Sequence, residues 1–194
     1  MPTLSQPASP PTAYSPTPGG SARDLEAGGV AGPRGAAHVA AGLVASVAVV
    51  GVLDIAFAIL YCQAVNRACV PSRVFQLVAS GLLGPSAFRG GGAVVALGAV
   101  LHFTVAATWS ALYLAADRNL PWLRRRTADA FGTLAVGLAY GVLVWLAMQY
   151  VVLPLSGARP TPITSPGFPL MLLWHTAGVG LPIVLLLRSE PDRR

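Results

Sequence analysis

Four long apolar runs alternate with short polar stretches along this chain, and that alternation predicts its elements. The runs cover about residues 36–62, 92–116, 128–153 and 168–187. Roughly 20 helical residues cross the ~30 Å hydrocarbon core of a bilayer, so each run predicts a membrane-spanning helix. The run at 92–116 carries no formal charge and one histidine near its middle. Small residues (Ala41, Gly42, Ala45, Ser46, Ala48, Gly51) line the first run. They permit close helix contact where lipid offers no hydrophobic drive for association. Gly137 and Gly141 form a GxxxG pair in the third run, a signal for helix–helix contact.

The stretch from Pro71 to Gly84 has a different pattern. Arg73, Gln76, Ser80 and Gly84 fall at i, i+3, i+7 and i+11, one polar stripe on an otherwise apolar helix. Ser72 suits an N-cap and Gly84-Pro85 a stop. A helix of about 12 residues is only ~18 Å long, so it is expected to lie in the interface or re-enter part-way. Thr127 is the expected N-cap of the third span. Pro169 falls near the first turn of the fourth, where proline is tolerated, whereas Pro182 lies inside it and should kink the helix at Gly178.

Residues 1–35 contain seven prolines among Ser, Thr, Gly and Ala, with few large apolar side chains. Such a segment buries too little surface to offset its ordering entropy and reads as a disordered tail. It lacks the basic start and early apolar run of a signal peptide. The fold class is therefore all-α: a four-span transmembrane helical bundle over 36–188, with a disordered N-terminal tail over 1–35, one short interfacial or re-entrant helix, and a short tail over 189–194.

Composition supports this class. Of 194 residues, 54% are hydrophobic and only 10% charged, and the mean hydropathy is +0.63. These values point away from soluble domains. All 13 basic residues are arginine, which with the abundant Ala, Gly and Pro fits a GC-rich bacterial coding sequence. The net charge of +6 does not make a nucleic-acid surface, because the arginines cluster beside span ends rather than on a face with interleaved aromatics. Nine lie on the side of the termini and the 117–127 loop, and four (Arg67, Arg73, Arg89, Arg159) on the other. The positive-inside rule then places both termini in the cytoplasm, in a bacterial inner membrane. Cys62 and Cys69 are seven apart, which is neither a zinc nor a CxxC spacing, and the favoured expectation is two unpaired thiols. A disulfide is the alternative if that end faces an oxidising compartment.

The candidate chemistry is intramembrane. An ionisable group in hydrocarbon costs about 2.5–3.5 kcal/mol or more, so each needs a partner or a purpose. Asp54 is the only acid in the interior of the runs, and His102 and His175 join it. Measured from the outward ends of their spans, the three lie ~12, ~15 and ~10 Å deep, with Gln149 at ~6 Å. Four polar groups from four helices are therefore expected at nearly one level, capped by Arg73 and Gln76 of the short helix. The leading reading is a hydrogen-bonded network that fixes helix packing. A proton-linked ligand site or small oligomeric transporter is the alternative, because His and Asp titrate. Metal or haem on His102 and His175 is a third reading. No Ser/His or HExxH pairing or phosphate loop argues for an enzyme, so none is expected. Trp109, Trp145 and Trp174 are read as packing residues, and Trp122, Tyr150 and Phe168 as an interfacial belt. The expected partners are the lipid bilayer and, through the small-residue faces, a second copy of the chain.

His102 in an aromatic-bearing span, an Arg- and Pro-bearing segment before a Gly-rich third span, Leu153-Pro154-Leu155, Pro160-Thr161-Pro162 and His175 occur in that order. Over 93–187 the chain thereby resembles the YagU-like inner-membrane proteins of bacteria. That resemblance implies a multi-pass inner-membrane protein without an assigned reaction, and it supplies no catalytic residues.

Overall fold

The first apolar run forms α1 (Pro33–Val65), which ends where Asn66 reverses the chain: the Asn66 side-chain oxygen accepts from the Ala68 N–H. The computed structural model describes residues 33–156 and 161–189. The expected tail over 1–35 lies almost wholly outside the described residues, as do 190–194. The helices that follow are α2 (Pro71–Leu83), α3 (Gly92–Asn119), α4 (Pro121–Arg126), α5 (Ala130–Leu155) and α6 (Phe168–Leu187). Among the described residues there is no strand. Helices α1, α3, α5 and α6 are long and apolar enough to cross a membrane, so the protein is an all-α multi-pass membrane protein.

Several ends differ from the sequence expectation. The second span continues past residue 116 to Asn119, which brings Asp117 into its last turn, so Asp54 is not the only acid in these helices. Thr127 does not cap α5: Asp129 does, accepting from Gly132 N at 2.7 Å, while Thr127 is buried at the end of α4. Ser72 does not cap α2 either, since Val70 holds the N-cap position without a side-chain bond and Pro71 opens the first turn. Proline there needs no donor, so the helix starts without the serine. Gly84 does end α2, at φ 62°, a left-handed conformation suited to glycine.

Helix α1 packs on α3 and α6, and α5 packs on α6. Short side chains set these approaches. A Cβ on Gly141 would lie 2.3 Å from the His175 carbonyl, and one on Gly180 would lie 2.2 Å from Gly141 N. The Gly137–Gly141 pair thus serves a contact within the chain, backbone against backbone with α6. Ser46 and Ser110 share a buried hydrogen bond of 2.9 Å across α1 and α3.

Two prolines shape the other pair of spans. Pro154 and Pro182 have no N–H, and their rings crowd the carbonyl four residues back. In each span a wider, π-helical stretch precedes the proline, Met148–Val152 and His175–Gly180. The expected disturbance at Gly178 therefore takes the form of a widened turn, which reroutes the freed carbonyls within the helix.

Candidate functional site

Asp54, His102 and His175 line one central cavity of about 230 Å³. The walls are otherwise mostly apolar, drawn from α1 (Val50, Ile55), α3 (Val105, Ala106), α5 (Val144) and α6 (Val179). Counted from Val65, Gly92 and Phe168, the three polar residues sit 11, 10 and 7 residues along their helices. At 1.5 Å per residue these are depths of ~17, ~15 and ~11 Å, and the shared level is what lets one cavity collect them.

Each of the three is half-buried and hydrogen-bonded. The Trp174 indole N–H donates to Asp54 Oδ1 at 3.1 Å, tying α6 to α1, and the same indole stacks on Phe57 at 4.4 Å between ring centres. His102 Nε2 bonds the Gly51 carbonyl at 2.9 Å, tying α3 to α1. His175 Nδ1 bonds the Met171 carbonyl of its own helix at 2.8 Å. A carbonyl only accepts, so each imidazole donates through the bonded nitrogen. In the neutral form this leaves His102 Nδ1 and His175 Nε2 as acceptors. With Asp54 Oδ2 these are the acceptors of the cavity, and Trp109, which also lines it, carries an indole N–H donor.

Gln149 is not part of this cavity. It is buried but turned to Thr161, whose backbone N–H donates to its Oε1 at 2.7 Å. It lies within the widened turn before Pro154, so a regular helical wheel does not give its direction.

Helix α2 does cover the cavity, but with its apolar flank. Val74, Leu77 and Val78 contribute to the wall. Arg73 and Gln76, expected as the cap, point to the chain that follows: Arg73 donates to the Phe88 carbonyl at 3.1 Å and Gln76 to the Gly90 carbonyl at 2.7 Å. The guanidinium also lies 5.0 Å from the centre of the Phe88 ring. These bonds satisfy carbonyls around the 3₁₀ turn Gly84–Arg89 and clamp it under α2. On its other flank α2 packs tightly on α3, where a Cβ on Gly98 would lie 2.0 Å from the Phe75 carbonyl.

A disulfide holds the start of α2 to the end of α1. Cys62 and Cys69 are joined, with Cα atoms 5.9 Å apart, in place of the two free thiols favoured from spacing. The Asn66 turn is the reason: it folds the seven-residue segment back on itself, so cysteines distant along a helix become neighbours.

A second polar layer escaped the sequence reading because it depends on where the chain ends return. Asp117 is fully buried, and its Oδ2 accepts from both the backbone N–H and the hydroxyl of Ser189. Arg188, counted above only as a topology charge, donates to the Thr127 carbonyl and the Thr133 hydroxyl, each at 3.0 Å. Asp117 Oδ1 is buried with no hydrogen-bond partner among the described residues.

Among the described residues no group of three or more His, Cys, Asp or Glu is gathered closely enough to hold a metal ion. The nitrogens that could ligate one are His102 Nδ1 and His175 Nε2. The tryptophans pack: Trp145 is buried edge-on to Phe168, with 4.7 Å between ring centres. No family model, curated protein or solved structure matches this chain.

Proposed function

We propose that this protein is an integral protein of the bacterial inner membrane with a structural or accessory role, in which the intramembrane polar residues lock the four spans together. The observation that carries this reading is the use made of Asp54 and His102. Their bonds to Trp174 and Gly51 join α1 to α6 and to α3. Both termini are assigned to the cytoplasm. The nine-to-four distribution of arginines supports that orientation. So does the cystine at the opposite end, because disulfides persist in oxidising compartments. We assign no catalytic reaction to the cavity.

A second reading has one observation in its favour: three ionisable side chains, Asp54, His102 and His175, line one cavity. At about 230 Å³ it falls below the ~300–1,000 Å³ of drug-sized ligand sites. It suits a few waters, a proton, or a small apolar molecule with one hydrogen-bond donor, such as an amine. Substitution separates the two readings. If Asp54→Ala and His102→Ala lower folded yield in detergent and change nothing else, the packing role stands. Normal yield with an altered pH response of stability or of membrane energisation would favour the titrating site.

A further inference from the structure

A second, larger cavity opens at the other end of the molecule, and nothing in the packing role accounts for it. It measures about 670 Å³ and lies between α3 and α5 beneath α4. These spans follow one another in the chain, joined by α4, yet diverge, because α3 packs on α1, α2 and α6 whereas α5 packs on α6. They meet at Tyr140, whose hydroxyl donates to the Trp109 carbonyl at 2.6 Å and whose ring stands edge-on to Tyr113. Tyr140 and Leu143 line the inner part of the cleft. Its walls are short or apolar side chains, among them Ala116, Ala135, Ala139 and Leu143, so the space stays open.

The mouth of this cleft is cationic. Arg125 and Arg126 line it, both exposed, beside the exposed indole of Trp122. Asp129 also lines it, but its Oδ1 accepts from the Gly132 N–H at the start of α5, and the two guanidiniums outnumber it.

We propose that the α3–α5 cleft binds one anionic phospholipid, with its phosphate on Arg125 and Arg126 and an acyl chain along the apolar walls. Both walls belong to membrane-spanning helices, so the open side of the cleft faces acyl chains. Guanidinium groups bind phosphate oxygens through paired hydrogen bonds, and basic pockets between spans select anionic headgroups. The cavity lies inside the ~300–1,000 Å³ range of ligand sites, unlike the central one. The same surface supplies its own control, since Arg118 and Arg124 are exposed at the same end but line neither cavity.

The test is native mass spectrometry of the full chain in mild detergent, titrated with phosphatidylglycerol or phosphatidylcholine. Wild type should retain one phosphatidylglycerol in preference to phosphatidylcholine by about tenfold or more. Arg125→Gln with Arg126→Gln should weaken that binding by about tenfold, while Arg118→Gln with Arg124→Gln should leave it within about twofold. Ala139→Trp, which fills the cleft and leaves every arginine in place, should also remove the lipid. Equal loss in the two arginine pairs would mean a general basic belt and overturn the site. So would equal binding of phosphatidylcholine, retention of lipid by Ala139→Trp, or a lipid-free dimer in which a second copy covers the cleft.

Discussion

Most buried polar side chains among the described residues have named donors or acceptors, with the Tyr113 hydroxyl, Asp117 Oδ1 and the Trp145 indole N–H as exceptions, and the cost of removing one follows from what it leaves behind. Asp117 is fully buried and receives two bonds from Ser189. Asp117→Ala strands those donors at the end of α6, and loss of about 1–3 kcal/mol is expected, read as a lower midpoint of thermal unfolding in detergent. Asp117→Asn keeps an acceptor and should recover most of it. Equal stability of the alanine variant and wild type would show that Ser189 finds water instead. Sequence reasoning found Asp54, His102 and His175, because an ionisable residue in an apolar run is visible without any knowledge of the fold. It misdirected Gln149, took Thr127 for a helix cap and Arg188 for a topology charge alone, and passed over Asp117. Gln149 depends on the widened turn ahead of Pro154, and the others on where α4 and the end of α6 come to rest, which no local pattern records.

At the scale of elements, glycine contacts and proline-widened turns decide how α5 and α6 fit. Gly141 meets the His175 carbonyl and Gly180 meets Gly141, so no side chain fits between the two backbones. Gly141→Leu should abolish folded yield or cost more than about 3 kcal/mol, as overpacking of a rigid contact does. Gly92→Ala, whose Cβ would meet nothing within 4 Å, should be neutral. Comparable losses in the two would remove the packing explanation. The GxxxG pair was legible as a contact signal, but its partner was not, since α6 could not be told from a second copy. The short helix over 71–84 was legible too. Its facing was misassigned, because polar residues on an amphipathic helix can serve the following loop as well as a site below. Its tether to α1 is testable by thiol counting. Protein purified without reductant should show no free thiol under denaturing conditions and two after reduction. Two free thiols in the untreated sample would contradict the bridge. Cys62→Ser with Cys69→Ser should lower stability by about 2 kcal/mol, in line with a short closed loop.

At the scale of the molecule, the described residues form four spans arranged so that α1 and α6 join α3 and α5. The number of spans and their approximate limits followed from apolar run length alone, since a bilayer sets a minimum of ~20 residues that few soluble helices meet. The order of packing did not follow, because every span has an apolar surface all round and lipid accepts any face. The orientation rests on arginine placement, and a reporter active only in the periplasm should be silent when fused after Arg194. Strong activity there would invert the assignment. What fixes the arrangement, in this account, is the set of polar ties between helices far apart in sequence, among them Asp54 with Trp174, 120 residues apart. A double-mutant cycle on that pair tests the claim most directly, using Asp54→Ala, Trp174→Phe and the combination, each followed by thermal unfolding in detergent. Coupling of about 0.6–1.7 kcal/mol is expected, from the average to the upper limit for hydrogen bonds between membrane spans, with the double variant less destabilised than the sum of the singles. Additive effects would mean that Asp54 and Trp174 do not hold α1 to α6, and the polar layer would lose its role in fixing the bundle.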